Sequence, residues 1–418
     1  LNAATGNTGI GISALDAITE GDNNVAVGSG ALTSLTTGAD NVVVGSAAGV
    51  ALSTGSFNIA VGKGALASED GHGKNIAIGY SALNTQNAGA DAYNIAIGYN
   101  AGYAITSGVE NTLVGGLAGD ALTTGSYNVA IGKGALSSED TGGTNVAIGY
   151  NALTAQDGTG NSYNTAIGFD TGKAITTGIN NTLIGGGAGD ALQDDSNNVA
   201  VGVNAITNLQ TDNCTAVGYA AMESATTSTR TTAIGRTALG GAVLTGNDNT
   251  ALGHQAGSII TSGAQNTLIG SKAGDALTTG SNNIIIGFEA AASAVDVTNE
   301  ITLGDANISA FRCADQSIAA LSDGRDKTDI KNSSYGLEFI NTIRPVEFTW
   351  DFRPENMAEA KQGKKRVGFI AQELQEAMPN SENEILDLVY NVSDERIEAK
   401  YGNLIPILVK AVQELSEE

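Results

Sequence analysis

Hydrophobic and polar positions in residues 1–304 recur in one short pattern. The core is an Asn, three residues that are mostly small or β-branched, and a Gly, as in Asn24-Val-Ala-Val-Gly28 and again at 41–45, 58–62, 75–79 and 94–98. Fifteen copies open with Asn, the first at Asn7 and the last at Asn283; Cys214, Thr231 and Glu300 take its place in three more. Most steps are 17 residues; those from Asn75 to Asn94 and from Asn145 to Asn164 are 19, from Asn198 to Cys214 is 16, and from Thr231 to Asn249 is 18. A longer period of 70 lies above it, because residues 58–127 resemble 128–197. A fixed short period marks a solenoid, in which each unit buries its apolar face only against its neighbours.

A coil of 17 residues is too short for a pair of helices and predicts two short strands joined by two turns. Within Asn24-Val-Ala-Val-Gly28, alternation sends Val25 and Val27 one way and Ala26 the other. The large residues are expected to fill the coil and the small ones to form an Ala-rich outer face. Gly at the strand end and in the Thr-Thr-Gly turns permits tight corners. The repeated Asn predicts a ladder of side-chain amides bonded from coil to coil. Eighteen coils stacked ~4.8 Å apart span about 85 Å. One such coil encloses little volume and leaves a face to be covered, so oligomerisation along the axis is expected.

The period stops near Gly304. Residues 305–321 read as a neck. Beyond it, Leu337, Ile340 and Ile343 fit a short helix ended by Pro345. Val346, Phe348 and Trp350 alternate as a strand. Ile370, Leu374, Ala377 and Met378 share a helix face that stops at Pro379. Residues 388–392 and 397–401 read as a hairpin. Leu404, Leu408, Ala411 or Val412, and Leu415 repeat near 3.5 residues, the spacing of a helical-bundle seam.

Composition sharpens the division. Residues 1–304 hold 7 Lys/Arg and 23 Asp/Glu, whereas the remaining 114 residues hold 13 and 21. Gly divides the other way, with 51 of 56 before residue 305, and all four Pro and the single Trp lie after it. A net charge of −24 without a basic cluster argues against nucleic acid as a partner. No apolar run approaches the ~20 residues of a membrane-spanning helix, so membrane insertion is not expected. There is neither a signal peptide nor an initiator Met at Leu1, so the sequence reads as a processed form or a piece of a longer chain. Cys214 and Cys313 are too few for a disulfide framework or a zinc site. No cofactor and no metal are expected; His72 and His254 read as isolated surface or packed histidines. The carboxylate pairs Glu69-Asp70, Glu139-Asp140 and Asp194-Asp195 read as solvated turns rather than as a glycan-cleaving pair.

The Asn-x-Ala-x-Gly coil resembles the head repeat of trimeric autotransporter adhesins and, more closely, the longer version of that repeat in bacteriophage tail fibres. The resemblance covers residues 1–304 and implies an all-β, parallel, left-handed β-roll solenoid wound as a homotrimer. The C-terminal part resembles the intramolecular chaperone of phage tailspikes and tail fibres, of the endosialidase type. The matching segments are Ser322-Asp323-x-Arg325-x-Lys327, Ile343-Arg-Pro-Val-x-Phe348-x-Trp350, Val367-Gly-Phe-Ile-Ala-Gln-Glu373, and the run from Tyr401 through Leu404-Ile405 to Ala411-Val-Gln-Glu-Leu415. That resemblance implies a small α+β trimeric chaperone domain over 322–418, with a C-terminal helix. It implies that the module trimerises the chain, guides folding, and then cuts itself off between Leu321 and Ser322. Ser322 and Lys327 correspond to the family's catalytic dyad.

A Ser hydroxyl is a weak nucleophile and needs a base; Lys serves when desolvation or a nearby cation favours its neutral form. Arg325 is a candidate for that cation, Asp323 for orienting one partner, and Gly324 for the bend that brings positions 322 and 327 together. At most this is single-turnover serine autoproteolysis, with no multi-turnover enzyme expected.

The expected function is structural: a receptor-binding segment of a virion tail fibre, assembled in the host cytoplasm with other phage tail proteins. Its target would be a host-surface glycan or outer-membrane component. The two loops carrying extra residues, Asn84 to Tyr93 and Thr154 to Tyr163, are the receptor-contact candidates. Tyr80, Tyr99, Tyr150, Phe169, Tyr219 and Phe288 each follow a motif Gly and predict an aromatic ladder packed on the rod. The alternatives are a tailspike polysaccharide depolymerase and a bacterial surface adhesin. The adhesin reading calls for a C-terminal membrane β-barrel, and the residues up to Glu418 read as a helix instead.

Overall fold

The computed structural model describes residues 4–308, 310, 312, 322–351, 363–378, 383–393 and 396–417. The chain forms two compact units, Leu1–Leu303 and Gly304–Glu418. No helix among the described residues is long and apolar enough to cross a membrane.

The first unit is a parallel β-solenoid. Three-residue strands, from Thr8–Ile10 through Val25–Val27 to Ile301–Leu303, pair in parallel into one 18-stranded sheet. Pairing is in register, so Ala26 lies beside Val43 and Ala60 beside Ala77. Each coil contributes one strand, not two. The return side is a turn-rich segment containing left-handed residues, such as Gly30 (φ 72°) and Leu32 (φ 51°), which prevent it from extending. It nevertheless stacks like a strand: Leu32 N donates to Ala48 O at 3.2 Å and Leu66 N to Ala82 O at 3.0 Å.

The two strand faces are the reverse of the expectation. Ala26, at the strand centre, is fully buried, while Val25 and Val27 are half-buried. Elsewhere the flanking positions reach the surface, with Val42 42% and Ile284 39% exposed. The reason is volume. The return segment also sends large side chains inward, including Leu32, Leu35, Leu52 and Leu66, all fully buried. A small strand residue leaves room for them. Where the strand centre is large, the turn gives way: Leu113 is buried opposite Gly119, where an added Cβ would lie 2.9 Å from the Leu113 methyl. The outward face is therefore rich in Val, Ile and Thr rather than Ala.

The motif Gly is fixed by geometry. Gly28 has φ 139°, a conformation L side chains rarely adopt, and a Cβ there would sit 2.5 Å from Gly45 O. Each coil's strand end thus rests directly on the next coil's backbone.

The Asn ladder forms as the repeat predicts. Asn24 Oδ1 accepts from Asn41 N (3.0 Å) and Asn41 Nδ2 (2.9 Å), and Asn41 Oδ1 accepts from Asn58 N (2.9 Å). The Asn41 amide also donates to Gly55 O at 2.9 Å. One buried side chain thereby satisfies backbone groups at two corners. At the degenerate coils the ladder is patched. Cys214 N still donates to Asn198 Oδ1 (2.9 Å), and Ser228 Oγ reaches Gly246 O (2.6 Å), a carbonyl that Asn249 Nδ2 shares at 3.2 Å. Cys214 is buried, and that burial pushes its thiol pKa up. Cys313 lies outside the described residues.

The second unit is small and mixed. Helix α1 (Leu337–Ile340) precedes an antiparallel pair, Val346–Thr349 with Lys365–Gly368. Helices α2 (Ala371–Ala377) and α3 (Asn383–Leu386) follow, then the hairpin Val389–Ser393 with Arg396–Ala399 and the long helix α4 (Leu404–Glu417). Phe339, Met378, Leu386, Leu388, Leu404 and Ile407 form its core. Glu414 on α4 caps α1 by accepting from Leu337 N at 2.6 Å, and this bond holds the Glu414 carboxyl below its ordinary pKa. The predicted seam on α4 divides. Leu404, Ile407 and Ala411 face the core, whereas Ile405, Leu408, Val412 and Leu415 are 46–64% exposed.

Candidate autoprocessing site

Ser322 and Lys327 are five residues apart, a spacing that would place them on opposite faces of an extended strand. A 3-10 turn at Gly324–Asp326 intervenes. Asp323 caps it, its carboxylate accepting from Arg325 N at 2.9 Å, and Lys327 N closes it on Gly324 O at 3.3 Å. The turn brings the two side chains together: Lys327 Nζ donates to Ser322 Oγ at 2.5 Å. Gly324 is not needed for its backbone freedom, since it is outside the left-handed region and an added Cβ would meet nothing within 4 Å.

Arg325 has a different partner from the one expected of it. Its guanidinium binds Asp323 (Nη2 to Oδ2, 2.5 Å), so its charge is answered there rather than offered to Lys327. Asp323 accordingly orients the turn and Arg325 rather than a member of the pair. The guanidinium holds the Asp323 carboxyl below the usual carboxylate range. Both Ser322 and Lys327 are exposed in the single chain. Leu321, on the other side of the expected cut, lies outside the described residues.

The other motif segments interlock. Arg344 forms an ion pair with Glu373. Phe369 N donates to the Tyr401 hydroxyl at 3.2 Å, and the two rings meet edge-on with centroids 5.6 Å apart. Phe348 and Trp350 pack edge-on at 5.1 Å. Three motif segments far apart in sequence thus converge within the second compact unit.

Residues 322–381 match the family model for the chaperone of endosialidase. The endosialidase-chaperone segment opens on the nucleophile candidate and takes in three of the four motif segments. No curated protein matches this chain.

On the solenoid, the loop candidates divide. Asn84 is tied down, its Nδ2 donating to Gly64 O at 2.8 Å, and Thr154 shares a hydrogen bond with Ser137 at 2.9 Å. Tyr93 and Tyr163 are more than half exposed, and Lys74 Nζ lies 4.9 Å from the Tyr93 ring centre. Sequence reasoning missed Gln86 and Gln156 in the same loops. Both are fully buried, and each accepts from the ladder Asn that follows, Asn94 or Asn164, at 2.8 Å. Their identical placement 70 residues apart was the available signal. The aromatic ladder is present in two stacked pairs, Tyr80 with Tyr99 at 5.4 Å and Tyr150 with Phe169 at 5.3 Å. Its rings are largely exposed rather than packed away.

The carboxylate pairs are not simply solvated. Glu69 and Glu139 are fully buried and Asp195 is 8% exposed. Burial raises the pKa of all three, against the opposing pull of backbone N–H donors. Nor is His72 isolated, since its Nδ1 lies 3.6 Å from Glu69 Oε1.

Proposed function

We propose that the solenoid is the host-attachment rod of a phage tail fibre. In this reading the C-terminal module is its intramolecular chaperone, which aligns three chains and then cleaves before Ser322. The observation that carries it is the Lys327–Ser322 hydrogen bond at the first residue of the endosialidase-chaperone match. Trimerisation is supported by two apolar surfaces of the single chain. One is the Val/Ile/Thr face of the solenoid strands, and the other is the exposed Ile405, Leu408, Val412 and Leu415 stripe of α4. The proposed home is the virion, with assembly in the host cytoplasm alongside other tail proteins. The proposed target is a host-surface glycan or outer-membrane component, with Tyr93 and Tyr163 the best-presented contacts.

The chemistry follows from the order of atoms. Lys327 takes the Ser322 hydroxyl proton, and Oγ attacks the carbonyl carbon of residue 321. The C–N bond breaks, the Ser322 nitrogen leaves as an amine after gaining a proton, and residue 321 is held as an ester on Oγ. One water hydrolyses the ester, giving a carboxylate at 321 and restoring the hydroxyl. A lysine base works best where water is excluded, and neither group is shielded in the single chain. Cleavage is therefore tied to assembly, which would cover the site.

Intact mass and denaturing gels test the reading. Wild type should give fragments 1–321 and 322–418, and Ser322→Ala a single full-length chain that still assembles. Full-length wild type under assembling conditions, or cleavage persisting in Ser322→Ala, would reject autoprocessing.

A further inference from the structure

The turn at residues 69–72 and its twin 70 residues later form an internal comparison. Glu69 and Glu139 occupy the same place, and both are fully buried. In the second copy both carboxylate oxygens are bound: Oε1 accepts from Gly142 N at 2.7 Å and Oε2 from Gly158 N at 3.4 Å. In the first copy Oε1 accepts from His72 N at 3.1 Å, but Oε2 has no hydrogen-bond partner. The chain differs at the decisive positions. His72 stands where the twin has Gly142, and Ala88 where it has Gly158. His72 Nδ1, half-buried, likewise lacks a hydrogen-bond partner. Asp70, exposed, completes a group whose ligand atoms all lie within 4.8 Å of one another.

A buried carboxylate with an unmet oxygen is costly unless paired or bound to a metal. Here the unmet carboxylate oxygen and the added imidazole occur together, at one of two equivalent turns. We propose that Glu69, Asp70 and His72 form a divalent transition-metal site of the zinc class, one per chain, which the turn at Glu139 lacks. One imidazole with two carboxylates favours Zn2+ and its neighbours over Mg2+ or Ca2+, which prefer all-oxygen shells. Ligand atoms around a tetrahedral Zn2+ lie about 3.4 Å apart. The 3.6 Å between His72 Nδ1 and Glu69 Oε1 is close to that, and an oxygen of the exposed Asp70 lies within 4.8 Å of both. Three protein ligands leave a fourth position for water. The ion would brace the turn that the twin braces with backbone donors.

The test uses tag-free, chelator-treated full-length protein titrated with ZnCl2 by calorimetry, with folding checked by circular dichroism. The expected result is one ion per chain. His72→Gly, which restores the twin's residue, should weaken binding at least tenfold, as should Glu69→Gln. His254→Gln should leave it unchanged. A tenfold excess of MgCl2 or CaCl2 should not displace the zinc. No binding by the wild type, binding undiminished in folded His72→Gly, or displacement by MgCl2 or CaCl2 would each overturn the proposal. Should Glu69→Gln misfold, His72→Gly still decides it.

Discussion

The solenoid and the C-terminal unit are held together in opposite ways. In the solenoid most ladder bonds recur from coil to coil. The contact of Asn24 with Asn41 is the contact of Asn41 with Asn58, and the strand at Ala60 pairs with the strand at Ala77 as Ala26 does with Val43. Such a stack is strong but carries little address, because a slip of one coil, or of the 70-residue unit, exchanges one set of contacts for nearly the same set. The C-terminal unit has no repeats. Arg344 with Glu373, Phe369 with Tyr401 and Leu337 with Glu414 each occur once. A wrong alignment there loses contacts outright. The pairing of an ambiguous rod with an unambiguous module is what a repetitive parallel fold, slow in its non-local pairing, requires.

The sharpest way to break this comparison is to separate the two regions. A chain ending at residue 321 should aggregate or remain unassembled, and size-exclusion chromatography with light scattering reads the result. A soluble, detergent-resistant trimer from that chain would show that the rod carries its own address. A second effect tests the equivalence of coils. Leu66 and Leu136 are fully buried twins, so Leu66→Ala and Leu136→Ala should each lower local stability by about 2–5 kcal/mol. Hydrogen exchange of the flanking strands should report matching costs, and clearly unequal costs would mean that the coils are individually tuned.

The smallest effect concerns a charge the repeat has left behind. Asp190 and its twin Asp120 each keep one buried oxygen without a hydrogen-bond partner, but Asp190 pairs through its other oxygen with Lys173 at 3.3 Å, whereas Tyr103 stands at the position equivalent to Lys173 for Asp120. Burial raises the Asp120 pKa above its ordinary 3.8. The folded chain therefore gains stability on protonating it, a gain present below about pH 3.8 and lost as pH rises through the folded value. Asp120→Asn should thus be more stable than wild type at pH 7, by less than about 1 kcal/mol after solvent screening. The two should converge in thermal melts near pH 3. Equal melting temperatures at pH 7 would show that the charge is already relieved.

The rod was legible because its constraints are local and repeated. An Asn every 17 residues finds its partners in the equivalent Asn and the backbone of the neighbouring coils. A Gly at each strand end allows only one kind of stacking. In the terminal unit, the Val346–Trp350 alternation and the hairpin around residue 394 were equally readable, because alternation and turn residues act over a few positions. The Ser322–Lys327 pair was nameable from its motif, but its closeness depends on a turn that Asp323 caps and Gly324 does not require.

By itself the sequence determined the coil count, the parallel stack, the Asn ladder and the break near residue 304, since periodicity specifies which residues are equivalent. It did not determine which face of each strand points inward. That depends on the volume shared between Ala26 and the leucines of the return segment, and shared volume exists only once the coil closes. Nor did it show that Glu69 is buried with an unmet oxygen beside His72. Glu69 and Glu139 lie in nearly identical local sequences, and only the stacked neighbours decide which carboxylate finds its second donor.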